Sequence, residues 1–217
     1  MSTDKADRTG MADDVGRTSA TVPTLNVANM LTMLRLVLVP VFVVALFAGD
    51  VPDGSEGLDV SPWRYVATAV FALAAVTDRL DGWVARRYGL VTDFGKIVDP
   101  IADKALIGAA LLGLSVLGEL PWWITAVILG REIAVTALRF WVIRHGVIPA
   151  SKGGKAKTLA QVAAIGVVLL PLPVQAEPVE WGLLGLAVVL TVGTGVDYLV
   201  RAVRLRTIAR QGRVELE

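Results

Sequence analysis

Four aspartates, Asp78, Asp81, Asp99 and Asp103, stand in the stretch TDRLDGWVARRYGLVTDFGKIVDPIADK, between two long apolar runs. An ionised carboxylate is a hard, acceptor-only oxygen donor, and it is expensive to place where the surroundings are apolar. On a helix, residues three and four apart share a face. Asp78, Asp81, Gly82 and Ala85 therefore form one stripe, with Arg86 at its edge, and Gly95, Asp99 and Asp103 form a second. The intervening RYGLVTDF is short enough to make the two helices antiparallel neighbours, which brings the four carboxylates toward one small volume.

Like charges a few ångströms apart raise each other's pKa, so converging acids need a positive partner to stay ionised. Mg²⁺ and Mn²⁺ prefer such oxygens and are commonly completed by substrate phosphates; two such ions can clamp a diphosphate. Gly82, Ala85 and Gly95 are small residues on the same faces and leave room for something flat, such as a nucleotide. Close helix packing is the plainer reading of each one alone. For the acids the plainer reading is snorkelling, or pairing with Arg79, Arg86 or Lys104. That explains one aspartate more readily than four on matched stripes.

The elements that carry these stripes are apolar helices. The chain has 217 residues, 54% of them hydrophobic, with a mean hydropathy of +0.62. A soluble domain has roughly 45–50% apolar residues even with glycine counted. Runs of about 18–20 apolar residues cross a hydrocarbon core of roughly 30 Å as helices. Six are placed, at about 30–48, 64–86, 95–117, 122–143, 158–173 and 180–203. The expected fold is all-α: a polytopic membrane protein with six transmembrane helices. A large buried helical core is the alternative, and too little polar sequence is present to coat it. Residues 1–22 are polar and mixed in charge, and are expected to be a disordered cytoplasmic segment; they are too long and acidic for a signal peptide. Residues 23–206 form the membrane catalytic domain, and 207–217 a cytoplasmic basic tail.

The net charge of +1 says little, but its distribution is informative. The linkers GDVPDGSEGLDVSP, SVLGELP and PLPVQAEPVE contain no Lys or Arg. Arg86, Arg87 and Lys96 fall in one opposite loop, Arg144, Lys152, Lys155 and Lys157 in the next, and Arg201, Arg204, Arg206, Arg210 and Arg213 in the tail. Basic residues near span ends bias a loop to the cytoplasm, so both termini and the aspartates are expected there. The basic tail suits anionic lipid head groups, and no nucleic-acid partner is expected. Without cysteine there is neither a disulfide nor a thiolate metal site. Trp63, Trp122, Trp123 and Trp181 flank the spans on the outer side as interfacial anchors. Asp197 faces Arg201 four residues later as an ion partner, and His145 receives no role.

The frame D-x2-D-G-x2-A-R-x8-G-x3-D-x3-D fixes eight residues across 26 positions. At every one of them the chain resembles the signature of the CDP-alcohol phosphotransferase family. GREIAVTALR (130–139), GKAKTLAQ (154–161) and NVANMLTMLRLVLVP, with Asn29, Thr32 and Arg35, resemble its bacterial phosphatidylglycerophosphate synthase branch. Ala28 departs from the proline usual there. The resemblance implies a six-helix membrane homodimer that transfers a phosphatidyl group from CDP-diacylglycerol to sn-glycerol 3-phosphate, releasing CMP. It implies two Mg²⁺ or Mn²⁺ ions on Asp78, Asp81, Asp99 and Asp103, with Asp103 also the general base. Asn29, Thr32, Arg35, Gly82, Ala85, Arg86 and Gly95 would line the CDP-lipid site.

The acceptor's dianionic phosphate calls for cations beside the metal site, and Arg131, Arg139, Lys155 and Lys157 are the candidates, with Thr158 as a hydroxyl donor. Loop lysines are also plain markers of the cytoplasmic side, Lys152 above all, and the plainer reading of Arg131 and Glu132 is a simple pair within the bundle. Rival readings keep the chemistry with another acceptor, namely inositol phosphate, serine, or phosphatidylglycerol to make cardiolipin. Others are a prenyl transferase with aspartate-bound Mg²⁺, or a cation transporter. A transporter would want acids near the midplane, whereas these four sit near helix ends.

Overall fold

The computed structural model describes residues 27–49, 61–88, 93–142 and 152–214. Its helices are α1 (Val27–Ala48), α2 (Pro62–Tyr88), α3 (Asp93–Val116), α4 (Trp122–Val142), α5 (Lys152–Leu169) and α6 (Glu177–Val214), with one 3₁₀ turn, Val174–Ala176, leading into α6. No strand occurs among the described residues. The N-terminal segment 1–22 lies outside them. So do the side chains of Ala85, Arg86, Gly95, Asp99, Arg139 and Lys152, although these positions are on helices.

Local sequence sets several of these limits. Pro62 opens α2, where a residue without an N–H fits the first helical position, and the Arg64 N–H reaches the Ser61 carbonyl at 2.9 Å. α3 ends at Val116, and just beyond it Gly118 takes a φ of 78°, which is open to a residue without a Cβ. The Glu119 and Leu120 N–H groups then close on the Leu114 carbonyl at 3.0 and 3.1 Å. Pro121 follows and α4 begins.

One limit differs from the sequence expectation. α5 starts at Lys152 rather than near 158, so Lys155 and Lys157 lie in its first turns instead of ahead of it. α6 runs on to Val214, and no proline follows Pro178 to break it.

Among the described residues α1 packs most extensively on α2 and also against α3, whereas α2 and α3 meet each other only over a short stretch. The two aspartate helices are thus held together largely through α1. Gly113 on α3 permits this: a Cβ there would stand 2.6 Å from Leu46 Cδ2 on α1. Phe42 and Phe71 join α1 to α2 with ring centroids 5.7 Å apart, within a core that includes Leu46, Leu111, Leu114 and Ile124. α6 covers α4 and α5.

The outside is apolar as well. Val37, Val44, Leu73, Val76, Val189, Val192 and Val203 are all exposed, as are Trp63, Trp122, Trp123 and Trp181. Among the described residues two stretches, Asn29–Ala48 and Val174–Arg204, are long and apolar enough to cross a membrane, with mean hydropathies of 2.5 and 1.9. Charged residues such as Asp78, Asp81, Asp103, Arg131 and Glu132 interrupt the runs on α2, α3 and α4.

Candidate active site

α1 turns Asn29, Thr32 and Arg35, spaced by three, into the protein, and Met30, Met33, Leu34 and Val37 outward. Arg35 is fully buried and lies between two aspartates of α2. Its Nη1 stands 2.7 Å from Asp78 Oδ1, and its Nη2 donates to Asp81 Oδ2. Asp81 is nearly buried, whereas Asp78 keeps 35% of its side chain exposed. Burying a guanidinium demands partners of opposite charge, and these two carboxylates supply them. The supply is incomplete: Nε and Nη1 of Arg35 have no hydrogen bond of good geometry among the described residues. Arg35, expected to touch a diphosphate, is therefore also the ion partner of two expected metal ligands.

A second charged group is built across α4, α5 and α6. Glu132 Oε1 accepts from Arg131 Nη1 at 3.1 Å and from Lys157 Nζ. Arg131 Nη2 donates to Thr194 Oγ1 at 3.1 Å, and its Nε is buried without a partner among the described residues. Gly195 makes room for this side chain, since a Cβ there would lie 3.1 Å from Arg131 Cγ. The structure thus joins Arg131 and Lys157 through Glu132. Lys155 points away and is exposed, and the side chains of Arg139 and Asp99 fall outside the described residues.

Between α3, α4 and α5 lies a cavity of about 480 Å³. Asp103, Lys104, Glu132, Thr136, Lys157, Thr158 and Gln161 supply its polar wall, and Ile107, Leu129 and Ile133 part of the apolar one. Lys104 Nζ donates to Thr136 Oγ1, while Thr158 turns its hydroxyl back to the Gly154 carbonyl at 3.2 Å. Asp103 stands between the two charged groups: the charges of Asp78 and Arg35 act on it, as do those of Lys157 and Glu132.

The donor set fits a hard divalent cation. Asp78, Asp81 and Asp103 bring three negative charges to this end of the bundle, against one from the Arg35 between them. Carboxylate oxygens are the ligands that Mg²⁺ and Mn²⁺ prefer. Among the described residues no group of three acids or histidines is drawn in to ligand spacing, with Asp99 not among those searched.

Several participants were not singled out from the sequence. Glu132 was expected at most to pair with Arg131, and here it joins two cations. Thr191, Thr194 and Gly195 lie on α6, whose sequence looks generic; two threonines three apart in an apolar run were the available signal. Gln161 was visible only as the end of a motif.

Chemically, the cavity offers a carboxylate beside ammonium and hydroxyl groups, with a buried guanidinium and two further carboxylates adjoining. Such a wall can orient an anionic alcohol and take up its proton.

A family model described as CDP-alcohol phosphatidyltransferase matches residues 25–193. A "Probable phosphatidylglycerophosphate synthase" of Mycobacterium tuberculosis (strain ATCC 25618 / H37Rv) is 53% identical over 191 residues, covering 88% of each chain. The CDP-diacylglycerol–glycerol-3-phosphate 3-phosphatidyltransferase of Bacillus subtilis (strain 168) is 38% identical over 181 residues, 80% of this chain and 93% of that one. Its namesake from Haemophilus influenzae is 36% identical over 180 residues, 80% of this chain and 91% of that one.

Proposed function

The chain belongs to the CDP-alcohol phosphatidyltransferase family, and from that premise we propose that it transfers the phosphatidyl group of CDP-diacylglycerol to sn-glycerol 3-phosphate. The products are phosphatidylglycerophosphate and CMP, a step of phospholipid biosynthesis. The observation that carries this reading is the placement of Asp103 in one cavity with Lys157 and Glu132, within reach of the charges on Asp78 and Arg35. A proton acceptor and a cation thereby line one space.

In this reading Lys157 and Arg131 hold the acceptor's phosphate, displacing Glu132 in part as their counter-charge. Lys155 and Arg139 add positive potential at the rim. The acceptor's primary hydroxyl then meets Asp103, which takes its proton. The oxygen attacks the phosphorus that carries diacylglycerol, and the bond from that phosphorus to the CMP oxygen breaks in line. Arg35 and Arg86 face the diphosphate, with Asn29, Thr32, Gly82, Ala85 and Gly95 shaping the seat of the cytidine end. Asp78, Asp81, Asp99 and Asp103 would hold two Mg²⁺ or Mn²⁺ ions, which when bound neutralise charge on the diphosphate and on departing CMP. Positioning and charge stabilisation carry most of phosphoryl transfer, so little covalent help is needed.

The same reading makes all six helices transmembrane, in a homodimer, with both termini and the cavity on the cytoplasmic side of the cell membrane. The basic loops and the outward apolar faces support it. The test supplies CDP-diacylglycerol to the purified protein with sn-glycerol 3-phosphate, inositol phosphate, phosphatidylglycerol or serine, with and without a chelator, and follows CMP. Release with glycerol 3-phosphate, abolished by chelation, is the expected result. Release with inositol phosphate and none with glycerol 3-phosphate would overturn the choice of acceptor.

A further inference from the structure

One turn beyond Lys157 on α5, Gln161 is only 3% exposed, yet it lines the cavity that holds Asp103. Its amide is oriented from behind. Thr191 Oγ1 on α6 donates its single proton to the Ala187 carbonyl at 2.6 Å, so toward Gln161 it can only accept. Gln161 Nε2 fills that role at 2.9 Å. With the amine end pinned to α6, the carbonyl Oε1 is turned away from it, and it makes no hydrogen bond among the described residues. Gln161 lines the cavity, so this oxygen is open to a donor that enters it. The cation nearest along the helix, Lys157, already has a carboxylate partner in Glu132. The wall's own hydroxyls, Thr136 and Thr158, give their protons to the Glu132 and Gly154 carbonyls, so a neutral hydroxyl donor has to arrive with a ligand.

We propose that Gln161 Oε1 accepts a hydrogen bond from the hydroxyl of the acceptor that does not react, so that the cavity selects a phosphorylated diol over a phosphorylated simple alcohol. Three groups then read the acceptor. Lys157 with Arg131 takes the phosphate, Asp103 the reacting hydroxyl, and Gln161 the remaining one. Thr191 is a positioning residue that acts through Gln161. This inference rests on the function proposed above and adds the feature by which the site tells acceptors apart.

The test compares kcat/KM for sn-glycerol 3-phosphate with that for 3-hydroxypropyl phosphate, the same chain without its central hydroxyl, using the full-length protein. The wild type should favour glycerol 3-phosphate by roughly 10- to 100-fold, the worth of one buried hydrogen bond and its unmet partner. Gln161→Met should lose that same factor with glycerol 3-phosphate and leave turnover of the simple alcohol unchanged. Thr191→Val should lose part of the discrimination. An equal loss with both acceptors in Gln161→Met would mark a structural role and overturn the proposal, as would discrimination that persists without Gln161. If the variant does not fold, wild-type enzyme that uses both acceptors equally well overturns it as well. CMP release with glycerol 3-phosphate but no preference sinks the role of Gln161 alone. No release with either acceptor sinks the proposed function.

Discussion

The two ends of the helix bundle both use buried or half-buried arginine, and they use it differently. At one end Arg64, in the first turn of α2, donates from Nε to the Leu169 carbonyl at 2.9 Å and from Nη2 to the Val168 carbonyl at 3.0 Å. Its Nη1 donates to Glu119 Oε1 at 2.8 Å, and Thr68 adds a hydroxyl to the Leu169 carbonyl at 2.9 Å. A cation thus closes the C-terminus of α5, where helix carbonyls lack partners of their own, and ties it to the turn after α3. At the other end Arg35 and Arg131 are paired with acids, but among the described residues each keeps a buried Nε without a partner. That end also holds the cavity with Asp103. An arginine whose donors all find the protein's own oxygens holds a fold together. Arginines left incomplete have donors to spare.

The largest effect on stability should come from Arg35→Met. Removing one member of a buried ion group leaves carboxylates uncompensated, at about 3–5 kcal/mol, and the unfolding temperature should fall accordingly. Added Mg²⁺ or Mn²⁺ should restore more of it in this variant than in the wild type, because the aspartates then gain another cation. A variant that melts with the wild type, with or without metal, would show that Arg35 is not what holds Asp78 and Asp81. At the opposite end Arg64→Ala should lower stability by about 1–3 kcal/mol, through carbonyls left without donors. Turnover at a permissive temperature should not change. A loss of turnover there with intact folding would erase the distinction between the two ends.

Much of this was readable from residue spacing. The period of three and four placed Asp78 and Asp81 on one face of α2, and the family resemblance singled out Asn29, Thr32 and Arg35, which α1 turns inward. The i,i+4 pair of Asp197 and Arg201 also forms, at 3.0 Å. What escaped depends on contacts between distant segments. Nothing local says that Arg35 will lie between two aspartates 43 and 46 residues away. The start of α5 was hidden by Gly153 and Gly154, since glycine inside a helix costs about 1 kcal/mol relative to alanine and the pair reads as loop. Packing against α6 outweighs that preference and carries Lys157 into the wall of the cavity. Gln161 gained meaning only when Thr191, on another helix, fixed which way its amide turns.

The division between a structural end and a reacting end meets its most direct test at Asp103. Purified Asp103→Asn protein, supplied with CDP-diacylglycerol and sn-glycerol 3-phosphate, should release CMP about 10²–10⁴-fold more slowly than the wild type, the usual worth of a positioned base. Its unfolding temperature should stay close to the wild-type value. Release at the wild-type rate from the folded variant would contradict the assignment and remove Asp103 from the chemistry.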